Sequence, residues 1–251
     1  MTELHERIAE AHGGLERWGR VERVLATASL GGAEFLYHLQ PRPLEQADLS
    51  VDLRLCRVTV SPFPAAGRSG VFEPSRVFIQ DDQGQCLEER AAPGQVARSL
   101  RHWFVWDSLD VLYVLGLTLW HAVAAPFLAC RSGTERGLLE PMETADGALQ
   151  RLRVSLPGDL PLPAQEQVLH ADPRGLLRRM DYSPVAYGGA LRLGHLLEDH
   201  QCCDGLVVAT RQVMYPCLPN GHLWRLTRLA WINLDDVAVL DRAPVAVPNR
   251  A

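Results

Sequence analysis

The side chains best suited to proton transfer lie in the most apolar stretch of the sequence, residues 106–127. Asp107 and Asp110 come at its start, and Tyr113 and His121 follow within it. A carboxylate, a phenol or an imidazole held in an apolar environment can act as a general acid or base. Asp110, Tyr113 and His121 are therefore candidate catalytic residues.

The two aspartates also have a structural interpretation. An Asp at the N-cap of a helix accepts backbone N–H bonds, and an acid three residues later completes a capping box. The positive end of the helix dipole favours both charges. In the same way, a single His on an apolar helix is often a hydrogen-bonded core residue rather than a catalyst. On the sequence alone, both interpretations stay open.

Helical periodicity tests these candidates geometrically. At about 100° per residue, one stripe of the helix carries Trp106, Asp110, Tyr113, Leu117 and Trp120. Asp110 and His121 point within about 20° of each other but lie about 16 Å apart along the axis. They cannot form an Asp–His pair on one straight helix, although they could line the two ends of an elongated cavity.

A second set of ionisable residues lies in a predicted β-hairpin, residues 165–183. Its turn has the sequence DPRG, with proline second and glycine fourth, which is typical of a type I turn. Strand alternation places His170, Arg179 and Asp181 on one face, and Leu169, Met180 and Tyr182 on the other. We expect the apolar face to point inward and the charged face to be exposed to solvent as a ladder of ion pairs. A register shift of one residue would exchange the faces.

His195 lies among leucines in the sequence LRLGHLLED. It shares one face of a predicted strand with Leu191, Leu193 and Leu197. A buried, neutral imidazole explains this setting. Proton transfer is the alternative, because imidazole titrates near neutrality, and it makes His195 the fourth candidate catalytic residue.

Composition and missing motifs disfavour several classes of function. The net charge of −5 argues against a nucleic-acid surface and against electrostatic docking on anionic lipid. The phosphate-binding glycine loops, the HExxH zinc motif and the GxSxG motif do not occur. We therefore expect no cofactor and no metal, and we interpret the six cysteines as reduced thiols.

The apolar stretch is nearly long enough to span a membrane. Residues 111–129 give 19 positions, against the about 20 that a spanning helix needs. A helix that is apolar on all sides is equally typical of complete burial. Because the flanking sequences have the pattern of a sheet, we expect a buried helix and no stable membrane insertion.

The remaining sequence predicts the elements that must position these residues. Helical spacing is found at residues 3–18, and a helical region is expected at about 96–129. Short apolar runs between turn residues predict antiparallel strands at 24–30, 35–39, 50–60, 70–72, 77–80, 149–157, 165–183, 190–199, 205–215 and 226–240. This order predicts an α+β fold, a curved antiparallel sheet with helices, forming a single domain over residues 1–251 with a loose tail at 242–251.

Two segments resemble the outer-membrane lipoprotein-sorting proteins of the LolA/LolB-like superfamily. Residues 9–30, AEAHGGLERWGRVERVLATASL, resemble its first helix, Gly-Gly and first strand. The runs VLHADPRGLLRRMDYS and LEDHQCCDGLVVATRQVMY resemble later strands, with Ala209 where the superfamily usually has proline. The resemblance implies a half-barrel whose concave face is covered by helices and holds an apolar ligand.

The sequence departs from that superfamily at its N-terminus. The residues MTELHERIAEAHGG lack the apolar core of a signal peptide, and there is no lipobox cysteine. We therefore expect a cytoplasmic location, and we take the resemblance to support the fold and an apolar cavity rather than lipoprotein traffic.

Two functions fit these features. The preferred hypothesis is a binder or carrier of an apolar small molecule, lipid-like or polyketide-like. The residues expected to contact this molecule are Trp106, Trp120, Phe127, Met180 and Tyr182. The alternative is a cofactor-free cyclase, isomerase or hydrolase of specialised metabolism, with the four candidate catalytic residues as acid and base.

Overall fold

The computed structural model describes residues 3–40, 44–96, 105–145, 147–187 and 191–242. Within these ranges, its main feature is a curved, open, antiparallel sheet of 13 strands. In chain order the strands are β1 (Val21–Gly31), β2 (Leu44–Asp52), β3 (Arg57–Ser61), β4 (Arg68–Glu73), β5 (Arg76–Asp81), β6 (Cys86–Ala91), β7 (Glu135–Thr144), β8 (Gly147–Ser155), β9 (Glu166–Ala171), β10 (Leu177–Tyr182), β11 (Leu193–Cys203), β12 (Leu206–Pro216) and β13 (Ala230–Asp241).

The first and last strands meet in the middle of this sheet. The spatial order is β6-β5-β4-β3-β2-β1-β13-β12-β11-β10-β9-β8-β7, so each half is a meander of consecutive hairpins. β1 pairs with β13 and joins the two halves into one continuous sheet. The assignment of residues 1–251 to a single domain stays a prediction.

The N-terminal helical segment is two helices rather than one. α1 (Leu4–Ala11) begins with a capping box between Glu3 and Glu6, and α2 is Gly14–Arg20. Gly13 separates them with a φ of 112°, in the left-handed region that favours glycine. A Cβ at Gly13 would overlap the carbonyl oxygen of Gly205, so this break also lets the helices pack against the β11–β12 turn.

The apolar run 35–39, which we predicted as a strand, is the helix α3 (Ala33–Tyr37). Its first two backbone N–H groups donate to the carbonyl oxygens of Arg228 and Leu229, each over 3.0 Å. These tertiary bonds satisfy donors that a helix start leaves free, so a short helix is stabilised where local pattern favours a strand.

The structure also differs from the predicted strands in two other respects. The run 50–60 divides into β2 and β3, because the carboxylate of Asp52 accepts the N–H groups of Arg54 and Leu55 and forms a turn. Neither β6 nor β7 was predicted as a strand; neither has a fully buried residue, so their sequences lack the alternation that marks a half-buried strand.

The helical region contains α4 (Pro93–Val96) and the long helix α5 (Ser108–Leu128). Residues 97–104 of the predicted region, and all of the predicted tail except Arg242, lie outside the described residues. α5 packs against β2 to β5 and against α1. Gly116 allows this approach, since a Cβ there would overlap the side chain of Phe72 on β4.

α5 is the one helix in the described ranges that is long and apolar enough to cross a membrane. Length and composition fit a membrane span and a buried core helix equally well. In this protein 83% of its most apolar 18-residue window is buried against the rest of the chain. α5 is therefore enclosed by the fold, as the sequence predicted for a buried helix.

Candidate functional site

An apolar cavity of about 270 Å³ lies between α5, the centre of the sheet and the loops that follow β8 and β10. The sheet contributes Leu30, Leu193, Met214 and Ile232 from four consecutive strands, together with Tyr182, Ala230 and Trp231. The loops contribute Leu160, Leu162, Pro163 and Val185. The cavity therefore borders the junction where β1 and β13 join the two halves of the sheet.

α5 contributes five residues to the lining of this cavity. Of its 21 residues, 17 are buried, and the four that are not are Ser108, Tyr113, Val114 and Thr118. The last three all line the cavity, together with the buried Leu115 and Leu117. Tyr113, Val114 and Thr118 lie within about 140° of the helix circumference, so their incomplete burial marks the side that packing leaves open.

A carboxylate and a phenol form a polar edge to the cavity. The Tyr187 hydroxyl donates to Glu34 Oε1 over 2.5 Å, and both residues line the cavity. His38 Nδ1 lies 3.2 Å from the same oxygen, and its ring stacks on Trp106 with 4.0 Å between the ring centroids. Burial, followed by the charge of Glu34, raises the pKa of Tyr187 well above its usual value, so this phenol stays a donor.

Glu34 and Tyr187 were not among the functional residues predicted from the sequence. We assigned the run that follows Glu34 to a strand, which gave Glu34 no defined position. The spacing of Glu34 and His38, four residues apart, is a helical spacing and is the signal that could have found this pair. The contact with Tyr187 joins residues 153 positions apart and has no local sequence signal.

A buried hydrogen-bond chain begins at Tyr182, which also lines the cavity. Gln212 Nε2 donates to the carbonyl oxygen of Ala209, so its Oε1 is directed at His195 Nε2, 3.0 Å away. His195 must therefore carry its proton on Nε2. Its Nδ1, 3.3 Å from the Tyr182 oxygen, therefore accepts a hydrogen bond from the Tyr182 hydroxyl.

His121 on α5 forms a second pair of the same kind. Gln167 Nε2 donates to the carbonyl oxygen of Ala164, and its Oε1 accepts from His121 Nε2 over 2.9 Å. Burial lowers the pKa of His121 to about 4 and that of His195 to about 3. Both imidazoles are therefore neutral at pH 7, and neither lines the cavity. These hydrogen bonds position Tyr182. A proton shuttle requires a group whose pKa lies near the working pH, and neither imidazole has such a pKa.

No protein-family model and no curated protein matches this sequence. Solved structures do match its fold. A domain from Vibrio parahaemolyticus, described as an outer membrane lipoprotein-sorting protein domain, aligns with a TM-score of 0.52 at 12% identity, over 95% of this chain and 93% of that one. A LolA superfamily protein from Nitrosomonas europaea aligns with a TM-score of 0.51 at 11% identity, over the same shares of the two chains. The chain has a LolA-like fold.

These neighbours confirm the LolA-like fold expected from the sequence resemblance, and they overturn one expectation. We expected a cytoplasmic location from the N-terminal residues. A protein that sorts outer-membrane lipoproteins works outside the cytoplasm, so this expectation is wrong on the comparison with neighbours of the same fold.

In this LolA-like fold, Asp110 lies away from the cavity and belongs to a cap. Asp107 and Asp110 form the reciprocal capping box of α5, with bonds of 3.0 and 3.1 Å. Arg90 on β6 donates to both carboxylates, over 2.6 Å to Asp107 and 2.7 Å to Asp110. The two aspartates thus fix the start of α5 against the edge of the sheet, and Asp110 and His121 do not line two ends of one cavity.

The structure places four of the five expected ligand contacts elsewhere in the core. Trp106 is covered by His38, Phe127 stacks on Trp18 with 4.3 Å between the ring centroids, and Trp120 and Met180 are buried. None of the four lines the cavity. Among the residues predicted as functional, only Tyr113 and Tyr182 do.

The charged face of the β9–β10 hairpin is buried, so our prediction that it is exposed to solvent is wrong. After a bulge, Arg179 pairs with His170, and Met180 pairs with Leu169 on the opposite face. Asp181 accepts two hydrogen bonds from Arg179, over 2.5 and 2.9 Å, and lies 3.2 Å from His170 Nε2.

The burial of this charged face has a tertiary cause. Arg179 Nη2 also donates to the carbonyl oxygen of Gly221 over 2.7 Å, and Leu223 packs directly against Gly194. The segment after β12 therefore covers this face of the sheet. His170, Arg179 and Asp181 lie on the side of the sheet opposite Met180, and they do not line the cavity.

The described residues offer no cluster of three or more His, Cys, Asp or Glu side chains that could hold a metal ion. All six cysteines are free thiols. Burial raises the pKa of Cys56 to about 11 and also raises that of Cys217, which keeps both in the thiol form.

Proposed function

We propose that the protein binds a small apolar, lipid-like molecule in the cavity beside α5, with α5 lying on the concave face of a half-barrel. The observation that carries the proposal is the cavity itself. Its walls are mainly aliphatic, and a few polar side chains, among them Tyr182 and the Glu34–Tyr187 pair, lie at defined positions. This is the usual composition of a small-molecule site.

The size of the cavity indicates the size of the ligand. A volume of about 270 Å³ is close to the lower end of ligand pockets, about 300 Å³. It is nearly twice the roughly 150 Å³ of an apolar cavity that binds benzene. A short acyl chain or a two-ring hydrocarbon fits this size, and each buried methylene contributes about 0.8 kcal/mol of transfer free energy.

The LolA-like fold supports the same proposal. The neighbour from Vibrio parahaemolyticus is described as a lipoprotein-sorting domain, and a lipoprotein carries apolar chains that such a cavity would accept. The alternative, a cofactor-free enzyme, has less support, because His121 and His195 are neutral, paired with glutamines and outside the cavity.

Fluorescence titration with N-phenylnaphthylamine, an apolar probe made of a naphthalene and a phenyl ring, tests the proposal. Val114→Trp places a large side chain into the cavity from α5, and we expect it to weaken probe binding at least tenfold. Leu138→Trp makes a similar replacement at a residue of β7 that is 75% exposed, and we expect it to bind like the wild type. Thr118→Trp, one turn further along α5, is the second cavity variant if Val114→Trp does not fold.

The cavity proposal is wrong if the wild-type protein does not bind the probe. It is equally wrong if folded Val114→Trp or Thr118→Trp, checked by circular dichroism, binds as tightly as Leu138→Trp.

A further inference from the structure

Exposed apolar side chains are concentrated in two short segments beside the cavity. Eleven large apolar residues of the described chain are exposed, and five of them lie at positions 36–39 and 224–226. These five, Leu36, Tyr37, Leu39, Trp224 and Leu226, are called the apolar patch. Single exposed apolar residues are ordinary, whereas a cluster of them marks an interaction surface. Leu226, at 90% exposure, is the most exposed of the set.

The two segments belong to one part of the surface. The patch residues of the first segment lie in or directly after α3. The backbone N–H groups of Ala33 and Glu34, at the start of α3, donate to the carbonyl oxygens of Arg228 and Leu229. Phe35 and Leu229, which lie close to these two segments in the sequence, both line the cavity. The apolar patch therefore adjoins the cavity.

Two cations accompany the apolar side chains. Arg225 and Arg228 flank Leu226 in the sequence WRLTR, and both are exposed. Neither forms an ion pair with any residue in the parts of the chain that the structure describes. We propose that the apolar patch, with Arg225 and Arg228, docks the protein on the surface of a membrane that contains anionic phospholipid.

Each component of the surface matches a layer of such a membrane. Leucine side chains gain transfer free energy when they enter the acyl boundary, and Trp and Tyr favour the headgroup region. Arginines at the same level attract the phosphates. The net charge of −5 argued against electrostatic docking, but it averages over the whole chain, whereas the segment WRLTR carries a local charge of +2. Local charge within a Debye length is what the lipid surface experiences.

This inference stands apart from the cavity proposal, because it needs no ligand in the cavity. Co-sedimentation with phosphatidylcholine vesicles, with and without phosphatidylglycerol, tests it. Each arginine near an anionic surface strengthens binding about fivefold, so R225Q/R228Q should lose roughly 30-fold in affinity for the anionic vesicles. Leu226→Asp should lose about tenfold or more. The cavity variant Val114→Trp should bind vesicles like the wild type.

Leu138→Asp is the matched control, because Leu138 is also highly exposed but lies on β7, away from the apolar patch. We expect it to bind vesicles like the wild type, and we expect added salt to weaken all binding to anionic vesicles. The proposal is overturned if the wild type does not sediment with anionic vesicles, or if Leu226→Asp and Leu138→Asp behave alike. It is also overturned if the apolar patch instead holds two copies of the chain together. In that case the wild type would be a dimer that does not bind vesicles, and Leu226→Asp would dissociate it.

Discussion

Three buried, neutral imidazoles should make this protein sensitive to acid. Burial lowers the pKa of His12 to about 4, that of His121 to about 4 and that of His195 to about 3. The same side chain in an unfolded chain titrates near about 6.5. Between these values the unfolded state binds a proton that the folded state does not, so the free energy of unfolding must fall as the pH falls.

The magnitude follows from linkage. With an unfolded pKa of about 6.5 and a folded pKa of about 4 or below, one imidazole lowers the free energy of unfolding by about 2 kcal/mol between pH 7 and pH 5. This figure changes little for any folded pKa below about 4, because the folded state is then still mostly unprotonated at pH 5. Three such residues give about 6 kcal/mol, and His170 and His200, whose pKa values burial also lowers, add to this loss. A loss of this size is comparable with the about 5–15 kcal/mol that stabilises a typical domain.

Buried carboxylates do not complicate this pH interval. Arg178 holds the pKa of Asp172 below its usual value, and His170 and Arg179 do the same for Asp181, in both cases against the effect of burial. Their contribution is present above the unfolded pKa of about 4 and is lost only as the pH falls below it. Between pH 7 and pH 5, the loss of stability should therefore come from histidines.

Urea unfolding at pH 7 and pH 5 measures the effect. The wild type should lose at least about 6 kcal/mol, and His195→Gln should lose about 2 kcal/mol less than the wild type, even if it is less stable at pH 7. His222→Gln removes an exposed imidazole and should show the wild-type loss. If His195→Gln and His222→Gln lose the same amount, the assignment of acid sensitivity to buried imidazoles is wrong.

Two other predictions concern packing and buried charge. Gly116→Ala should lower the free energy of unfolding by about 1–3 kcal/mol, because its Cβ would overlap Phe72, although alanine favours helix. Gly19→Ala, in α2 with no atom within 4 Å of the added Cβ, should be neutral or stabilising, and thermal melts of the two variants check the contrast. Arg179→Met should cost about 3–5 kcal/mol in urea unfolding, because it removes the main partner of a buried carboxylate. Adding Asp181→Leu should recover a large part of that loss, and a double variant no more stable than Arg179→Met would contradict this reasoning.

The central helix was predictable because its signals are local. Asp107 and Asp110 carry the spacing of a capping box, and the apolar residues that follow indicate burial on all sides. The same logic identified the hairpin of β9 and β10 and the separation of its two faces. Periodicity records which residues share a face, and it did so correctly for Arg179 and Met180.

What covers each face of a strand is a tertiary property, which local sequence patterns do not record. The charged face of the hairpin was expected to be exposed, because periodicity ranks the two faces only by their polarity. In the structure a segment about 40 residues later along the chain covers that face, and Gly221 supplies an acceptor to Arg179. A buried arginine needs such an acceptor, and its position in the sequence carries no periodic signal.

The same distinction between local and tertiary information applies to the candidate site. Tyr113 could be placed on α5 from spacing, but the spacing could not tell which side of a uniformly apolar helix faces a cavity. That side is decided by loops after β8 and β10 and by α3, which lie far from α5 in the sequence and pack beside it only in the fold. Glu34 and Tyr187 meet across the cavity edge for the same reason. The residues that distinguish a binding cavity from a packed core are thus the ones that local patterns describe least, and substitutions at Val114 and Thr118 test the cavity directly.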